Sequence, residues 1–573
     1  MKTVLKYLKA YYGRMGLGLS IKIIGTVAEL MLPYILSHIL ANVMGKSASD
    51  IVLWGCLMIG CSAIACIFNV KANRMAAKVS RDFAESMRKD LFAKTLKLSA
   101  AQTDKFTIPS LESRITTDSY HVYSFINMMQ RMGVRAPIML VGGITITLFM
   151  DAYLSLVMIA IIPFLFGIVL FIRKKGVGLY TKVQKSVDGM VRVVREDSQG
   201  IRVIKALSKT DYEKRRYDDV NRELVKNETR AGIIMGTVNP IMTMLMNMGC
   251  VAVVALSASR VANHQSHPET VIAFMQYFTH ISMSLMAVTR IFVMYTKCSA
   301  SAKRISEVLL TEEDISVMPK SDYPDIFSSN HIVFDKVCFS YNGKRDNAHD
   351  ISFALKKGEK LGIIGATGSG KSTLIKLLMR FYDVDRGAIY INGEDVRTIE
   401  KDRFYKMFGS ALQQDFLYSD SIEENIRFGR DIPAERIVES AKIAQAHDFI
   451  SDFADGYDHE LTPHGTNISG GQKQRVLISR AVASNPDILV LDDSCSALDY
   501  KTDAALRHAL DSAMSNTTVI TVAQRVSTVK DCSLILVIDD GKIIGSGTHE
   551  ELLVSCLQYR EISESQMGGA FVE

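Results

Sequence analysis

The sequence predicts two domains in one chain: an α-helical membrane domain of six spans and, behind it, an α/β domain built around a phosphate-binding loop. Three observations predict it. Hydrophobic residues make up 48% of the 573 and mean hydropathy is +0.13, high for a chain with 22% charged residues, and the apolar material is concentrated before about residue 300. After the apolar run Leu361-Gly362-Ile363-Ile364 comes Gly365-Ala366-Thr367-Gly368-Ser369-Gly370-Lys371-Ser372-Thr373, which fits the pattern GxxxxGK(S/T). Around that loop, strand-length and helix-length patterns alternate. The expected division is 1–311 for the membrane domain, 312–330 for a polar linker containing Pro319 and Pro324, and 331–573 for the α/β domain.

The spans are expected at 16–44, 51–72, 122–150, 152–172, 231–259 and 268–296, each long enough for the roughly 20 residues that cross hydrocarbon. Nothing resembling a cleaved signal peptide precedes them. Lys2, Lys6, Lys9 and Arg14 precede the first span, and 73–120 and 173–230 are dense in Lys and Arg, while the opposite loops offer little beyond Lys46 and Arg260. Basic loops stay on the cytoplasmic side, which predicts a multi-pass protein of the cytoplasmic membrane with both termini and the α/β domain in the cytosol. The net charge of +6 follows from that topology, and no basic aromatic module for nucleic acid is visible. The stretches 73–120 and 173–230 are too long for connectors and carry helical periodicity, so the spanning helices are expected to run on into the cytosol.

In the α/β domain the loop glycines let backbone N–H groups close on phosphates, Lys371 reaches the β and γ oxygens, and the Ser372 hydroxyl takes Mg²⁺. The segment Leu374-Ile375-Lys376-Leu377-Leu378 reads as the helix whose N-terminus faces them. Ile488-Leu489-Val490-Leu491-Asp492 reads as a buried strand ending in a carboxylate placed to hold the Mg²⁺ shell. Between them lies Ile468-Ser469-Gly470-Gly471-Gln472, followed by Lys473-Gln474-Arg475, which resembles the signature motif of ATP-binding cassette (ABC) proteins. Other family motifs follow its order: Tyr341, where an aromatic stacks on adenine; Gln414 in Leu412-Gln413-Gln414-Asp415, where a glutamine senses Mg²⁺ and the membrane domain; and Ser496-Ala497-Leu498-Asp499. Six spans followed by one ATPase domain resemble an ABC exporter half-transporter. Within that layout, Ile108-Pro109-Ser110-Leu111-Glu112-Ser113-Arg114 and Ser208-Lys209-Thr210-Asp211-Tyr212-Glu213 resemble its two coupling helices. The resemblance implies ATP and Mg²⁺ as cofactors and a second ABC half-transporter as partner, because each ATP of the family is sandwiched between one subunit's phosphate loop and the other's signature.

Two residues depart from the family pattern at the ATP site. Asp493 stands where a glutamate polarises the attacking water, and its stem is one methylene, about 1.5 Å, too short. Gln524, in Thr521-Val522-Ala523-Gln524-Arg525, stands where a histidine contacts the γ-phosphate; it donates a hydrogen bond but cannot become a cation. Pro463 occupies a position that exporters commonly give to an acidic residue. A slow homodimer using Asp493 as a weak base is one reading. The one carried forward resembles the degenerate-site subunit of bacterial heterodimeric ABC exporters, in which Ser469, Gly470, Gly471 and Gln472 complete the partner's competent site.

Polar groups inside the spans are costly and mark candidate cargo contacts: Glu29, Arg131, Arg135, Gln276 and His280. Glu29 and Arg135 line a cavity or pair within the bundle; both readings stand. Met242, Met244, Met246 and Met248 after Asn239-Pro240 offer a soft, re-packable surface, though such methionines more often face lipid or core. Nine cysteines without CxxC pairs, Cys338, Cys495, Cys532 and Cys556 among them, read as reduced packing thiols. The expected activity is ATP-driven export of an amphipathic small molecule, lipid or peptide across the cytoplasmic membrane, with the lipid bilayer as its surroundings. A nucleotide-gated regulator and uptake through an exporter-like fold are the alternatives.

Overall fold

The computed structural model describes residues 2–43, 48–171, 175–262, 268–326, 328–413, 415–494 and 496–567; the expectations placed on Lys46, Gln414 and Cys495 lie outside these. The chain divides into two compact units, 1–97 with 106–311, and 98–105 with 312–573.

The first unit is helical. Its long elements are α1 (Tyr12–Val43), α2 (Ala48–Leu96), α3 (Ser119–Met150), α4 (Ala152–Phe171), α5 (Val177–Ala206), α6 (Thr210–Gly236), α7 (Val238–Ala262) and α8 (Pro268–Leu309). Five helical stretches are long and apolar enough to cross a membrane, and a shorter apolar one covers Ala152–Ile168. At 1.5 Å per residue, the 49 residues of α2 extend roughly 70 Å, more than twice the hydrocarbon thickness, so this helix does continue beyond the bilayer. Pro33, Pro137 and Pro163 sit inside α1, α3 and α4 without ending them, as membrane helices tolerate. The break between α6 and α7 falls at Thr237, three residues before Pro240, whose ring nitrogen has no hydrogen to give to the preceding turn.

Small residues set the close packing of the bundle. A Cβ on Gly143 would lie 3.1 Å from Ile281 Cγ1, and one on Gly249 would lie 2.6 Å from Phe278 Cζ, so α3 and α7 pack against α8 at glycine positions. Leu30, Met139, Leu154, Met158, Phe274 and Tyr277 form a buried core there, and the Tyr277 hydroxyl donates to the Leu30 carbonyl at 2.8 Å. Ahead of α3 the chain makes one π-helical turn, Arg114–Asp118. Asp118 is buried and accepts from Arg304 Nε at 2.7 Å and Ser301 Oγ at 2.8 Å, while Arg114 Nη1 donates to the Arg304 carbonyl at 2.7 Å. This network fastens the turn that follows Ile108–Ser113 to α8 within the first unit.

The segment that belongs with the second unit lies upstream of the expected first coupling helix, at Leu98–Lys105. Ser99 Oγ donates to Asp314 Oδ2 at 2.8 Å, Gln102 Nε2 to the Glu312 carbonyl at 2.7 Å, and the Tyr382 hydroxyl to Asp104 Oδ2 at 2.6 Å.

The second unit holds two sheets. The strands are β1 (Ile332–Phe339), β2 (Ala348–Leu355), β3 (Lys360–Ile364), β4 (Arg386–Ile391), β5 (Glu394–Asp395), β6 (Phe408–Ala411), β7 (Ile488–Asp492), β8 (Thr518–Val522), β9 (Leu534–Asp539) and β10 (Lys542–Gly547). A four-stranded antiparallel sheet has the order β2-β1-β4-β5, and a six-stranded sheet has the order β10-β9-β3-β8-β7-β6. In the second sheet β6, β7, β8, β3 and β9 run parallel and β10 returns antiparallel. Its central strands read as continuous apolar runs because both faces are covered; every residue of β7 is buried.

Candidate nucleotide-binding site

Parallel strands place their carboxyl ends on one edge of a sheet, and ligands of such folds collect there. The chain leaves β3 into Gly365, β6 into Leu412 and Gln413, β7 into Asp493, and β8 into Ala523 and Gln524. Four segments far apart in sequence therefore meet around a cleft of about 260 Å³ whose lining includes Ser369, Lys371, Ser372, Gln413, Asp492, Asp493 and Gln524.

The loop geometry requires its glycines. A Cβ on Gly365 would lie 2.1 Å from the Ile538 carbonyl oxygen, and Gly370, at φ 108°, would place one 2.8 Å from the Asn347 oxygen. Gly370 caps α9 (Lys371–Leu378), whose first N–H groups open toward the cleft. Lys371 Nζ curls back over the loop and donates to the Gly365 and Ala366 carbonyls at 2.8 and 2.7 Å. The Ser369 hydroxyl is buried without a hydrogen-bond partner, an unmet polar atom inside the phosphate loop. Ser372 Oγ donates to Asp492 Oδ1 at 3.2 Å. Burial raises the Asp492 carboxyl above its usual range, opposed by the Ser372 hydrogen bond, and burial lowers the Lys371 ammonium. A hydroxyl and carboxylates with no sulfur or imidazole among them form an oxygen donor set that fits Mg²⁺, with Ser372 and Asp492 as the residues that would hold it.

Asp493 has a left-handed backbone, φ 51°, a region that Asp enters more easily than most side chains. Its Oδ2 accepts from Gln524 Nε2 at 3.3 Å and from Gln413 Nε2 at 3.5 Å, both long. Burial raises its carboxyl above the usual range, against the pull of Lys371, Arg525 and the Gln524 amide. Two neutral amides thus flank the carboxylate that follows β7. Gln413 stands beside the Gln414 expected at this position, and of the two it is the one within the described residues.

Tyr341 lies beside the cleft lining. Its ring stands edge-on to Phe339 and Tyr382, and its hydroxyl reaches Thr373 Oγ1 at 3.4 Å. The signature is apart from the phosphate loop. Ser469 caps α10 (Gly470–Ala483) in a reciprocal box: its hydroxyl accepts from Gln472 N at 3.3 Å and Gln472 Oε1 accepts from Ser469 N at 2.9 Å. A Cβ on Gly471 would lie 3.2 Å from the Ala497 carbonyl, which ties the signature to the Ser496–Asp499 stretch. Asp499 itself caps α11 (Tyr500–Ala513), accepting from Thr502 N at 2.9 Å. Pro463 opens a single 3₁₀ turn, Pro463–Gly465.

Comparison with known proteins agrees with this geometry at the level of the whole chain. Residues 15–285 match the family model for the ABC transporter transmembrane region and residues 348–496 match the one described as ABC transporter. The uncharacterised ABC transporter ATP-binding protein YfiB of Bacillus subtilis is 34% identical over 571 residues, covering 99% of each chain. The chain belongs to the ABC transporter family. Another such ATP-binding protein, Rv1273c of Mycobacterium tuberculosis, is 30% identical over 573 residues, 99% of this chain and 98% of its own. A bacterial Atm1-family ABC exporter solved with ATP bound superposes with a TM-score of 0.81 at 23% identity, over 98% of this chain and 99% of that one. This ABC transporter chain therefore has the exporter half-transporter fold: a multi-pass helical membrane domain and an ATP-binding domain of the kind that hydrolyses ATP.

Proposed function

We propose that the chain is one half of a heterodimeric ABC exporter, holds the slow ATP site, and lends its signature to the partner's competent one. The observation that carries this reading is Asp493 flanked by Gln524 and Gln413 at 3.3 and 3.5 Å in a cleft that also holds the phosphate loop, Ser372 and Asp492. Binding and chemistry are separable here. Gly365, Thr367, Gly368, Gly370 and Lys371 cradle and neutralise phosphates, Tyr341 supplies the aromatic face for the base, and bound Mg²⁺ would shield the phosphate charge. Asp493, next in the chain to Asp492, is the cleft carboxylate that would orient a water. It reaches about 1.5 Å less far than a glutamate, and neither amide beside it can carry the positive charge that a histidine brings. Meanwhile Gly470 and Gly471 offer free N–H groups at the start of the 14-residue helix α10, suited to a γ-phosphate contributed by a second subunit. The basic loops support a location of both termini and the ATP-binding domain in the cytosol and of the chain in the cytoplasmic membrane. The cargo class is an amphipathic small molecule, lipid or peptide.

The test is Ser469→Arg in the assembled pair. It is expected to abolish ATP hydrolysis of the heterodimer, while Ser469→Ala, which loses the cap at a cost of about 1 kcal/mol but adds no bulk, keeps most of it. Full turnover with Ser469→Arg refutes the shared site, and brisk hydrolysis by this chain as a homodimer refutes the degenerate one.

A further inference from the structure

The membrane unit holds more positive charge than it neutralises. Lys22 on α1 is 4% exposed and donates to Asn69 Oδ1 at 2.7 Å and Asn73 Oδ1 at 3.2 Å on α2, two oxygens with no formal charge. Arg135 on α3 pairs with Glu29 on α1 at 2.6 Å. Arg131 lies one turn before Arg135 on the same exposed face of α3 and has no carboxylate partner among the described residues. Among the described residues Glu29 is paired with Arg135, and Lys22 reaches only the two asparagine oxygens.

A fourth cation joins them through helix register. α3 and α8 pack antiparallel, with His121 Nδ1 3.2 Å from Ser301 Oγ and the Phe125 ring 5.8 Å from the Tyr295 ring. Moving outward from Phe125 to Arg131 on α3 and from Tyr295 to Arg290 on α8 covers nearly the same rise, so Arg131 and Arg290 lie at one level; Arg290 is exposed as well. All four cations fall inside the expected spans, where a charge left without a counter-charge is costly and marks a ligand path. Glu29 offsets Arg135 alone.

We propose that Arg131, Arg135 and Arg290, backed by the buried charge of Lys22, form the subsite for the anionic headgroup of an amphipathic cargo, a carboxylate or a phosphate ester. Planar guanidinium forks bind both groups bidentately, and a site lined by hydrocarbon strengthens the attraction. The anion comes from the inner leaflet as a lipid phosphate or from the cytosol as a soluble amphiphile; the recognising chemistry is shared. This rests on the export reading and specifies its cargo class.

The test uses the assembled transporter in phosphatidylcholine nanodiscs without nucleotide. Binding of dansyl-aminoundecanoic acid is compared with that of its methyl ester. The acid is expected to bind in preference to the ester, to weaken roughly tenfold or more in the Arg131→Ala/Arg290→Ala double variant, and to weaken with salt, while the ester responds to neither. Glu29→Gln, which removes the one offsetting charge, is expected to tighten the acid. Equal binding of acid and ester, or acid binding unchanged in the double variant, overturns the subsite. Phosphatidylglycerol added to the nanodiscs competes with the acid if the natural ligand is a lipid and does not compete if it is soluble; both upholding outcomes differ only in source. Failure of export itself is read separately, as no ATP-dependent uptake of any cargo into inverted vesicles.

Discussion

Asp493→Glu combined with Gln524→His is expected to convert this chain's site from slow to competent. The Asp493 carboxylate accepts from Gln524 and Gln413 only at 3.3 and 3.5 Å, so it is held loosely as well as short. One added methylene advances the carboxylate by about 1.5 Å, and correcting a misplacement of that order is worth roughly 10²-fold in rate, about 2.7 kcal/mol. The histidine adds a donor able to carry charge at the γ-phosphate, a separate stabilisation of similar order. Asp493→Glu alone is expected to do far less, since Gln524 stays neutral and the left-handed backbone at φ 51° suits Asp better than Glu. Single-turnover hydrolysis of labelled ATP by the purified chain in nanodiscs, wild type against the single and double variants, measures both changes. A wild-type chain already turning over at a typical enzyme rate, or a double variant no faster than wild type, would refute the reasoning.

Lys371→Ala removes the ammonium that lies over the Gly365 and Ala366 carbonyls; retention of labelled ATP at this site is expected to fall at least tenfold by filter binding, and unchanged retention would contradict the loop assignment. Asp118→Ala breaks the buried contact with Arg304 and Ser301. Because the Arg304 side chain is 46% exposed, the loss is expected to be about 2 kcal/mol, below the 3–5 of a fully buried pair, and to appear as a fall in Tm of several degrees; an unchanged Tm would remove the network's role. His331 is buried against Thr518 Oγ1 at 2.7 Å, and burial holds its imidazole below the ordinary 6.5, so it folds neutral. As pH falls below about 6.5 the unfolded chain takes up a proton that the folded one refuses, so stability present above that pH is lost toward the lower folded value, with a slope of up to about 1.4 kcal/mol per pH unit. His331→Gln is expected to flatten that part of the thermal-stability profile between pH 7.5 and 5.5, and an identical profile would count against it.

Much of the ATP site was legible because its chemistry is local. A phosphate loop needs Gly365, Gly370 and Lys371 within a few residues, so spacing alone points to it, and a buried strand ending in Asp492 points to the carboxylate that stands beside Ser372. Spans are legible for the same reason: hydrocarbon demands about 20 apolar residues in a row. What chain-local patterns do not carry is which distant groups share a place. Parallel pairing of β6, β7, β8 and β3 brought Gln413, Asp493 and Gln524 to one edge, and only that pairing showed Gln413 turned to the carboxylate. Tertiary packing likewise put Leu98–Lys105 with the ATP-binding unit and kept the turn Arg114–Asp118 on α8, because the buried Asp118 must answer Arg304. Glu29 and Arg135, which the sequence left as either lining or paired, are joined at 2.6 Å, while Arg131 and Arg290 meet at one level only through the antiparallel register of α3 and α8. Composition and periodicity determined what each segment is; long-range packing decided which charges and amides face one another, since those distances depend on contacts between residues far apart along the chain.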